Sequence, residues 1–495
     1  MASSSFDEIR AERLRKLDML RQAGMNPYPA DSKRTHTIGE FQDAFLILEQ
    51  NREVARLTGR IRSLRLHGAL VFADIDDGTG RIQALFKRDE MEDEAFDFFV
   101  AVVDAGDFIE VTGPAFVTKR GERSIAVEGW RMLVKTLRPI PDEWYGLKDE
   151  EERYRRRYLD MLLNDSAADI VRKRSLFWNT IRTFLLERGF IEVETPVLEN
   201  TTGGAEARPF VTHHNAFDMD VYLRISAGEL WQKKLLIAGF PKVFEIGRIF
   251  RNEGMSREHL QDYTQLEFYM AYADYVDGMP LIQELYRMIA RAILGTTKFS
   301  VFGHDVDLED EWKIYRFVDV IKEHYGIDAL DSTIEEMQAA LSAAGIPFDP
   351  AVTNIERGID LLWKKVRKTI SGPGFLIDVP VYLEPLAKRS REDSRVVERF
   401  QVLLAGSELG KAFSELNDPL DQRERFQAQQ ALRDAGDEEA QMADMDFVEA
   451  LEYGMPPALG FGCSERLFSF LMGIDVREGQ LFPLMRPKDG EEAKG

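Results

Sequence analysis

Cysteine is almost absent, with Cys463 the single one in 495 residues. One thiol makes no internal disulfide and no cysteine-cluster zinc site, and such usage suits a reducing compartment. No apolar run approaches the roughly 20 residues that a membrane-spanning helix needs. The opening MASSSFDEIRAERLRKLDML reads as a charged amphipathic helix rather than a signal peptide. A cytoplasmic setting without a membrane partner is expected. Positive charge is also short: Lys and Arg number 64 against 86 Asp and Glu, leaving a net charge of −22. That excludes indiscriminate coating of DNA or RNA, because phosphate binding rests on Lys and Arg. Any nucleic-acid partner must be met by local patches, such as Arg56, Arg60, Arg62 and Arg65, or Lys119, Arg120 and Arg123, or Arg153 to Arg157. Taken singly, each patch reads as a solvated charged face. Neither GxxxxGK[ST] nor a GxGxxG after a strand occurs, so a Walker or Rossmann nucleotide site is unsupported.

What is present is ordinary for a folded chain: 44% hydrophobic and 30% charged residues, over a length that calls for two or more domains. Residues 1–50 read as a helical arm. Residues 51–136 carry short strands, VARLTGRIRS, ALVFADIDD, RIQALFK, DFIEVTGPAFVT and RSIAVEGWRMLVK, with a turn at Asp76 to Gly80 and a helical stretch over 89–104. That is the inventory of an OB-fold β-barrel. Leu137 to Asp142 contains two prolines, which suit neither a helix interior nor a central strand, so 137–150 reads as a linker. From 151 to 490, helical patterns alternate with isolated strands such as Val221 to Ile225 and Phe375 to Val379, without regular βαβ spacing. A mixed α/β domain on a mainly antiparallel sheet flanked by helices is expected. Residues 311–370 read as a helical insertion, with Ser332 and Glu335 at capping-box spacing.

Three segments of this second domain stand out: Gly189-Phe-Ile-Glu-Val-Glu-Thr-Pro196; Val243 to Glu253 followed by Tyr263-Thr-Gln-Leu-Glu-Phe-Tyr269; and Gly460-Phe-Gly-Cys-Ser-Glu-Arg466 opening an apolar helix. Together they resemble the three signature motifs of class II aminoacyl-tRNA synthetases. The likeness continues through Asn26 to Pro29, Asp149 to Leu159, Gly203 to Ala205, Ala207 to Phe210, Thr212 to Asn215, Phe413 to Pro419 and Leu481 to Pro487. In these segments the chain resembles the class II lysyl-tRNA synthetases of bacterial type. The resemblance implies ATP-dependent ligation of L-lysine to tRNA(Lys) through a lysyl-adenylate, with Mg2+ as cofactor. It also implies an anticodon-binding role for the OB segment and a homodimer formed around Gly189 to Pro196.

Adenylation requires a carboxylate to attack the α-phosphate of ATP, and that nucleophile, with a pKa of about 3.5, is already ionised at neutral pH. No general base is needed, so the lack of a Ser/His/Asp or Cys/His set is expected. By resemblance, Arg251 contacts the α-phosphate and Arg466 the γ-phosphate, Glu253 accepts from the adenine amino group, His259 helps hold the triphosphate, and Tyr263 stacks on adenine where the family usually has Phe. Planar guanidinium groups suit the phosphate roles. Glu408 and Glu415 resemble magnesium ligands, Glu415 lying between the metals and the amino-acid pocket. Glu229 and Glu267 sit where the family recognises lysine, completed by Gly204, Tyr269 and Phe413. Arg60, Phe72 and Gln83 match anticodon contacts, Phe72 as a stacking platform unless it points into the barrel core.

The chain departs from the family in places. Gln401 stands where an acid is usual and Lys411 where Asn is usual; a residue is inserted near Ala227-Gly228, and the third motif is one residue shorter before Glu465-Arg466. The first two changes add two positive charge units to the site. Lys411 is therefore expected to face the ATP phosphates or to be neutralised by Glu408 or Glu415, with fewer magnesium ions bound; the alternative is that it points into solvent. The competing readings are an aspartyl- or asparaginyl-type synthetase, and a non-catalytic synthetase-like tRNA-binding protein. Ser414-Glu415-Leu416 disfavours the first, since a basic residue is expected there, and the intact ATP arginines disfavour the second.

Overall fold

The computed structural model describes residues 2–141, 149–205, 207–254, 256, 259–350, 353–434 and 442–487, and of residues 2–5 and 432 the backbone alone. Residues 142–148 of the expected linker and 488–490 at the end of the expected second domain lie outside these. The chain divides into two compact units, 1–150 and 151–495.

In the first unit, the strand Val54–His67 turns Ala55, Leu57 and Ile61 inward and Arg56, Thr58 and Arg60 outward, the period of a strand with one face on a core. Leu70–Asp76 and Arg81–Lys87 follow in antiparallel order. Arg123–Val127 lies parallel to Arg81–Lys87, and Phe108–Val117 pairs with it and then with Val54–His67, which closes the barrel. This is the OB-fold that the strand pattern predicts. Two details differ. The helix is shorter than 89–104, spanning Asp93–Val102, the part that buries Phe96, Phe99 and Val102. The last expected strand is split, Arg123–Val127 and Gly129–Val134, because Glu128 N leaves the ladder to donate to Thr112 O at 2.9 Å.

In the second unit, an eight-stranded sheet runs in the order 313–316, 374–377, 399–404, 407–414, 458–464, 262–271, 242–250 and 191–192. Its interior pairs are antiparallel and the outermost pair at each end is parallel. Side-chain alternation sorts the central strands onto two cores. Phe268, Ala412 and Phe461 pack on one face with the helices Asp165–Glu187 and Tyr275–Leu294. Tyr269 and Phe413 pack on the other with Leu230 and Leu236 of the helix Glu229–Ile237.

The 311–370 stretch begins with a strand, Lys313–Arg316, and continues as the helices Phe317–Tyr325, Ile334–Ala343 and Ile355–Val366. Its capping box is Thr333 with Glu336, one residue beyond the expected Ser332 and Glu335. Ser332 is spent elsewhere, since its hydroxyl turns back to the Asp328 carbonyl. The Arg153–Arg157 run is likewise not a solvated face: Arg157 is buried, and both Arg153 and Arg157 bind the buried carboxylate of Asp160.

Candidate active site

Three neighbouring strands build the floor of the site from alternate residues. Glu267 and Tyr269 on 262–271 lie opposite Gly462 and Gly460 on 458–464, which in turn lie opposite Lys411 and Phe413 on 407–414. The two glycines leave the middle of the floor open, and the acids and aromatics rise on either side. Glu415, two residues after Phe413, continues the same face. A cavity of about 380 Å³ stands on this floor, bordered by Gly204, Glu229, Glu267, Tyr269, Phe413 and Glu415, all six residues expected for lysine. Arg251 borders it too.

The walls are fixed by backbone. Gly204 has φ +86, and a Cβ there would lie 2.6 Å from Ser226 Oγ and 2.8 Å from Glu229 Cβ, so the loop passes close only without a side chain. The residue inserted near Ala227-Gly228 falls in this wall. Gly228, with φ +76, caps the helix that presents Glu229, and Ala227 N donates to Glu267 Oε1 at 2.9 Å. Glu267 also accepts from Gln265 Nε2 at 2.7 Å and from Tyr269 OH at 3.1 Å.

The sequence reading missed Lys233. This buried ammonium lies 2.8 Å from Glu229 Oε1 and 2.5 Å from Glu415 Oε2, ringed by Tyr269, Phe413 and Phe447 with centroids 5.8, 5.6 and 5.9 Å away. Its spacing of four from Glu229 on one helix was the available signal. Burial lowers the proton affinity of Lys233, but Glu229 and Glu415 outweigh that and raise it. Glu267 is pushed upward by burial and then by Glu229; Glu415 is pushed upward by burial, against the pull of Lys233.

Arg251 extends from the end of the strand Lys242–Phe250, its Nε donating to Ile225 O at 3.2 Å. Beyond it, Arg251, His259, Tyr263 and Arg466 border a second cavity of about 160 Å³. The Arg251 guanidinium lies 5.8 Å from the centroid of the Tyr263 ring, whose hydroxyl burial pushes upward. Arg466 opens the short helix after 458–464. His259 Nδ1 sits 2.8 Å from Ser256 Oγ. Glu253 is exposed on the loop after Arg251 and borders none of these cavities.

A third cavity, about 180 Å³, is bordered by Arg251, Gln401, Glu408, Lys411 and Arg466. Glu408 Oε1 accepts from Trp363 Nε1 at 2.6 Å. The Gln401 amide oxygen is taken by Arg399. Among the described residues, no group of three or more His, Cys, Asp and Glu side chains gathers to hold a metal. The carboxylate oxygens of Glu408 are donors of the kind a magnesium ion takes, and they fit one that is also bound by phosphate oxygens. Glu415 borders the first cavity, and its carboxylate is engaged there by Lys233. Lys411 borders both the first and third cavities, and the carboxylate holding it is neither Glu408 nor Glu415 but Glu384, at 3.1 Å, which also binds Arg399.

On the barrel of the first unit, Val71, Ala73 and Ile75 face the core, so Phe72 faces out, opposite Arg65 and Leu85. Gln83, opposite Asp74, shares that outer face and is held by Glu122 at 3.0 Å and by Ser124 at 3.3 Å. Arg60 lies on the same side, opposite Asp76, with its guanidinium 4.3 Å from the centroid of Phe108.

A family model described as tRNA synthetases class II (D, K and N) matches residues 149–486, and one described as an OB-fold nucleic acid binding domain matches residues 55–133. The chain is 45% identical to the lysine–tRNA ligase of Fervidobacterium nodosum over 97% of its own length and 94% of the relative's. It is 44% identical to that of Thermotoga maritima, covering 98% and 97%, and 45% identical to that of a Roseiflexus species, covering 98% and 100%. The first match leaves aspartate, lysine and asparagine open, and the relatives choose among them. With most of its length matched by the one and nearly all of it by the others, the chain belongs to the class II tRNA synthetases, among the lysine–tRNA ligases.

Proposed function

We propose that the chain activates L-lysine with ATP and transfers it to tRNA(Lys), with the three joined cavities as the adenylation site. The observation that carries this reading is the position of Arg251, which borders both the carboxylate-floored cavity and the cationic ones beyond it. An amino acid whose ammonium groups are held by Glu229, Glu267 and Glu415 presents its carboxylate toward Arg251, where the α-phosphate is to be attacked. Catalysis is then positioning plus neutralisation of phosphate charge, by Arg251 at the junction and Arg466 farther along. Tyr263 offers its ring to adenine. Glu408 would hold magnesium together with the ATP phosphates, and the bound ion supplies further charge neutralisation there. Selectivity follows from sign: buried carboxylates favour an ammonium and reject the side chain of aspartate.

The outer barrel face with Arg60, Phe72 and Gln83 is assigned to the anticodon, Phe72 offering its half-buried ring for base stacking. Exposed Ile191, Val197 and Leu198 in and beside Gly189 to Pro196 support a homodimer there. Among the described residues no helix is long and apolar enough to cross a membrane; a cytoplasmic setting follows from the substrates, tRNA and ATP. The test is pyrophosphate exchange measured across the amino acids, followed by charging of tRNA. Lysine alone is expected to support both. Exchange driven by aspartate or asparagine would replace the reading with its nearest competitor.

A further inference from the structure

Glu408 and Lys411 stand three residues apart on the strand 407–414, a spacing that puts side chains on opposite faces of a regular strand. Both nevertheless border the third cavity, of about 180 Å³. The pairing with 399–404 shows why: Gln401 lies opposite Lys411 and Leu403 opposite Glu408, so the strand 407–414 carries one extra residue between them, a β-bulge. Gly410 within it has φ +121, and a Cβ there would lie 2.6 Å from Tyr286 OH, so the bulge needs glycine. It brings Lys411 onto the open floor, with Gln401 opposite it on one neighbouring strand and Gly462 on the other.

Among the described residues, the charged ones that border both the amino-acid cavity and the third cavity are Arg251 and Lys411. The strands that lead to them are separated by 458–464 and 262–271, so the two cations reach the junction from opposite sides. Lys411 is half exposed and held by Glu384, whose Oε2 and Oε1 lie 3.1 and 3.3 Å from its Nζ. Glu384 is buried and is also bound by buried Arg399. One carboxylate between two cations leaves one positive charge, and Lys411 is the exposed member of the three. Gln401, neutral where an acid is usual, binds Arg399 without cancelling that charge. Glu408 borders the third cavity but not the first, so the excess at the junction stands.

We propose that Lys411 is a further catalytic residue of adenylate formation, and that Glu384 is its positioning residue. The proposal rests on the amino acid and ATP meeting where Arg251 borders both cavities. Two anions must close on each other there. A carboxylate oxygen forms a bond to the α-phosphorus as the bond from phosphorus to the bridging oxygen breaks, and pyrophosphate leaves with that electron pair; no proton moves. Cations fixed at the junction relieve the repulsion that this approach builds up. Arg251 supplies a planar fork, and Lys411 a compact point charge on a flexible stem. Glu384 keeps that stem at the cavity border, and Arg399 keeps Glu384 in place.

The test compares Lys411→Met with the parent, both full length, in lysine-dependent pyrophosphate exchange with lysine and ATP varied in turn. Calorimetric binding of lysine alone, and of the sulfamoyl analogue of lysyl-adenylate, gives a second readout. The exchange kcat should fall by about 100-fold, the scale of losing one preorganised charged donor, and Lys411→Arg should recover part of it. The analogue should bind about tenfold more weakly or worse, while lysine alone changes by less than about threefold, because the contact is made at the reacting junction. A kcat within about threefold of the parent, or lysine weakened as much as the analogue, overturns the catalytic role. A parent chain without lysine-dependent exchange overturns the substrate assignment instead. If Lys411→Met does not fold by circular dichroism, Lys411→Gln takes its place under the same criteria. Glu384→Gln should lower kcat by about tenfold in the parent and add little to Lys411→Met, because the two residues act as one unit. Equal losses in both backgrounds would make Glu384 a structural residue and overturn its positioning role.

Discussion

Glu415 has room for its carboxylate on the cavity floor because Gly460, on the adjoining strand, has no side chain: a Cβ there would lie 1.9 Å from Glu415 Oε1 and 2.6 Å from Tyr269 Cε1. Both atoms belong to the amino-acid pocket. Gly460→Ala should therefore displace the carboxylate or the ring, an overpacking cost of about 1–3 kcal/mol. The expected outcome is a KM for lysine raised by roughly tenfold or more, with KM for ATP little changed, since about 1.4 kcal/mol is tenfold in affinity. Pyrophosphate exchange with each substrate varied in turn measures this, and equal losses for both would show a general disturbance of the sheet.

Arg251→Ala and Arg466→Ala remove donors from where phosphate charge changes. Each is expected to lower kcat for exchange by about 100-fold or more, the size seen when one preorganised donor to a transition state is lost. Arg251 borders the lysine cavity as well, so its variant should also raise KM for lysine, whereas Arg466 borders only the two beyond. Folded variants with near-normal exchange would refute the phosphate roles.

Phe72→Ala tests the barrel face. Because the ring points away from the core formed by Val71, Ala73 and Ile75, stability should change little. Loss of base stacking, about 1–3 kcal/mol, should raise KM for tRNA by roughly 5-fold to 150-fold and leave lysine-dependent exchange unaltered. Impaired exchange or a clear drop in melting temperature would return Phe72 to a structural role.

The residues that the motifs carry were legible because strand alternation and local sequence fix them together: Glu267 and Tyr269 are two apart, and Phe413 and Glu415 are two apart, each pair on one face. Gly460 and Gly462 complete that floor from the third motif. What stayed hidden depended on pairing between distant segments. Nothing near Glu384 announces that it meets Lys411, 27 residues away, or Arg399, 15 away. Trp363 of the 311–370 stretch meets Glu408 only through the tertiary fold. Lys233 was closer to legible, four residues from Glu229, but its second partner, Glu415, comes from another strand region altogether. The missed capping box at Thr333 was an error of one residue in register, since Ser332 and Thr333 both precede an acid at the right distance.

Glu199 gives a pH-dependent prediction outside the lysine floor. Its Oε1 accepts from Trp231 Nε1 at 2.9 Å, while Oε2 is buried without a hydrogen-bond partner. Burial, only partly offset by Trp231 and Arg224, pushes the carboxyl up to about 7. The folded chain thus binds a proton here that the unfolded chain, with an ordinary value near 4.5, has already lost. The sign follows: this group's contribution to stability is fully present below pH 4.5 and is lost as pH rises through about 7. The full difference is on the order of 3 kcal/mol at 1.36 kcal/mol per unit. Glu199→Gln keeps an oxygen to accept from Trp231 and cannot ionise, so its stability relative to the parent should be nearly level in acid and grow from neutral to alkaline pH. Urea unfolding of both proteins at pH 5.5, 7 and 8.5 measures the difference, and a gap that does not widen with pH would mean that Glu199 is ionised in the folded chain.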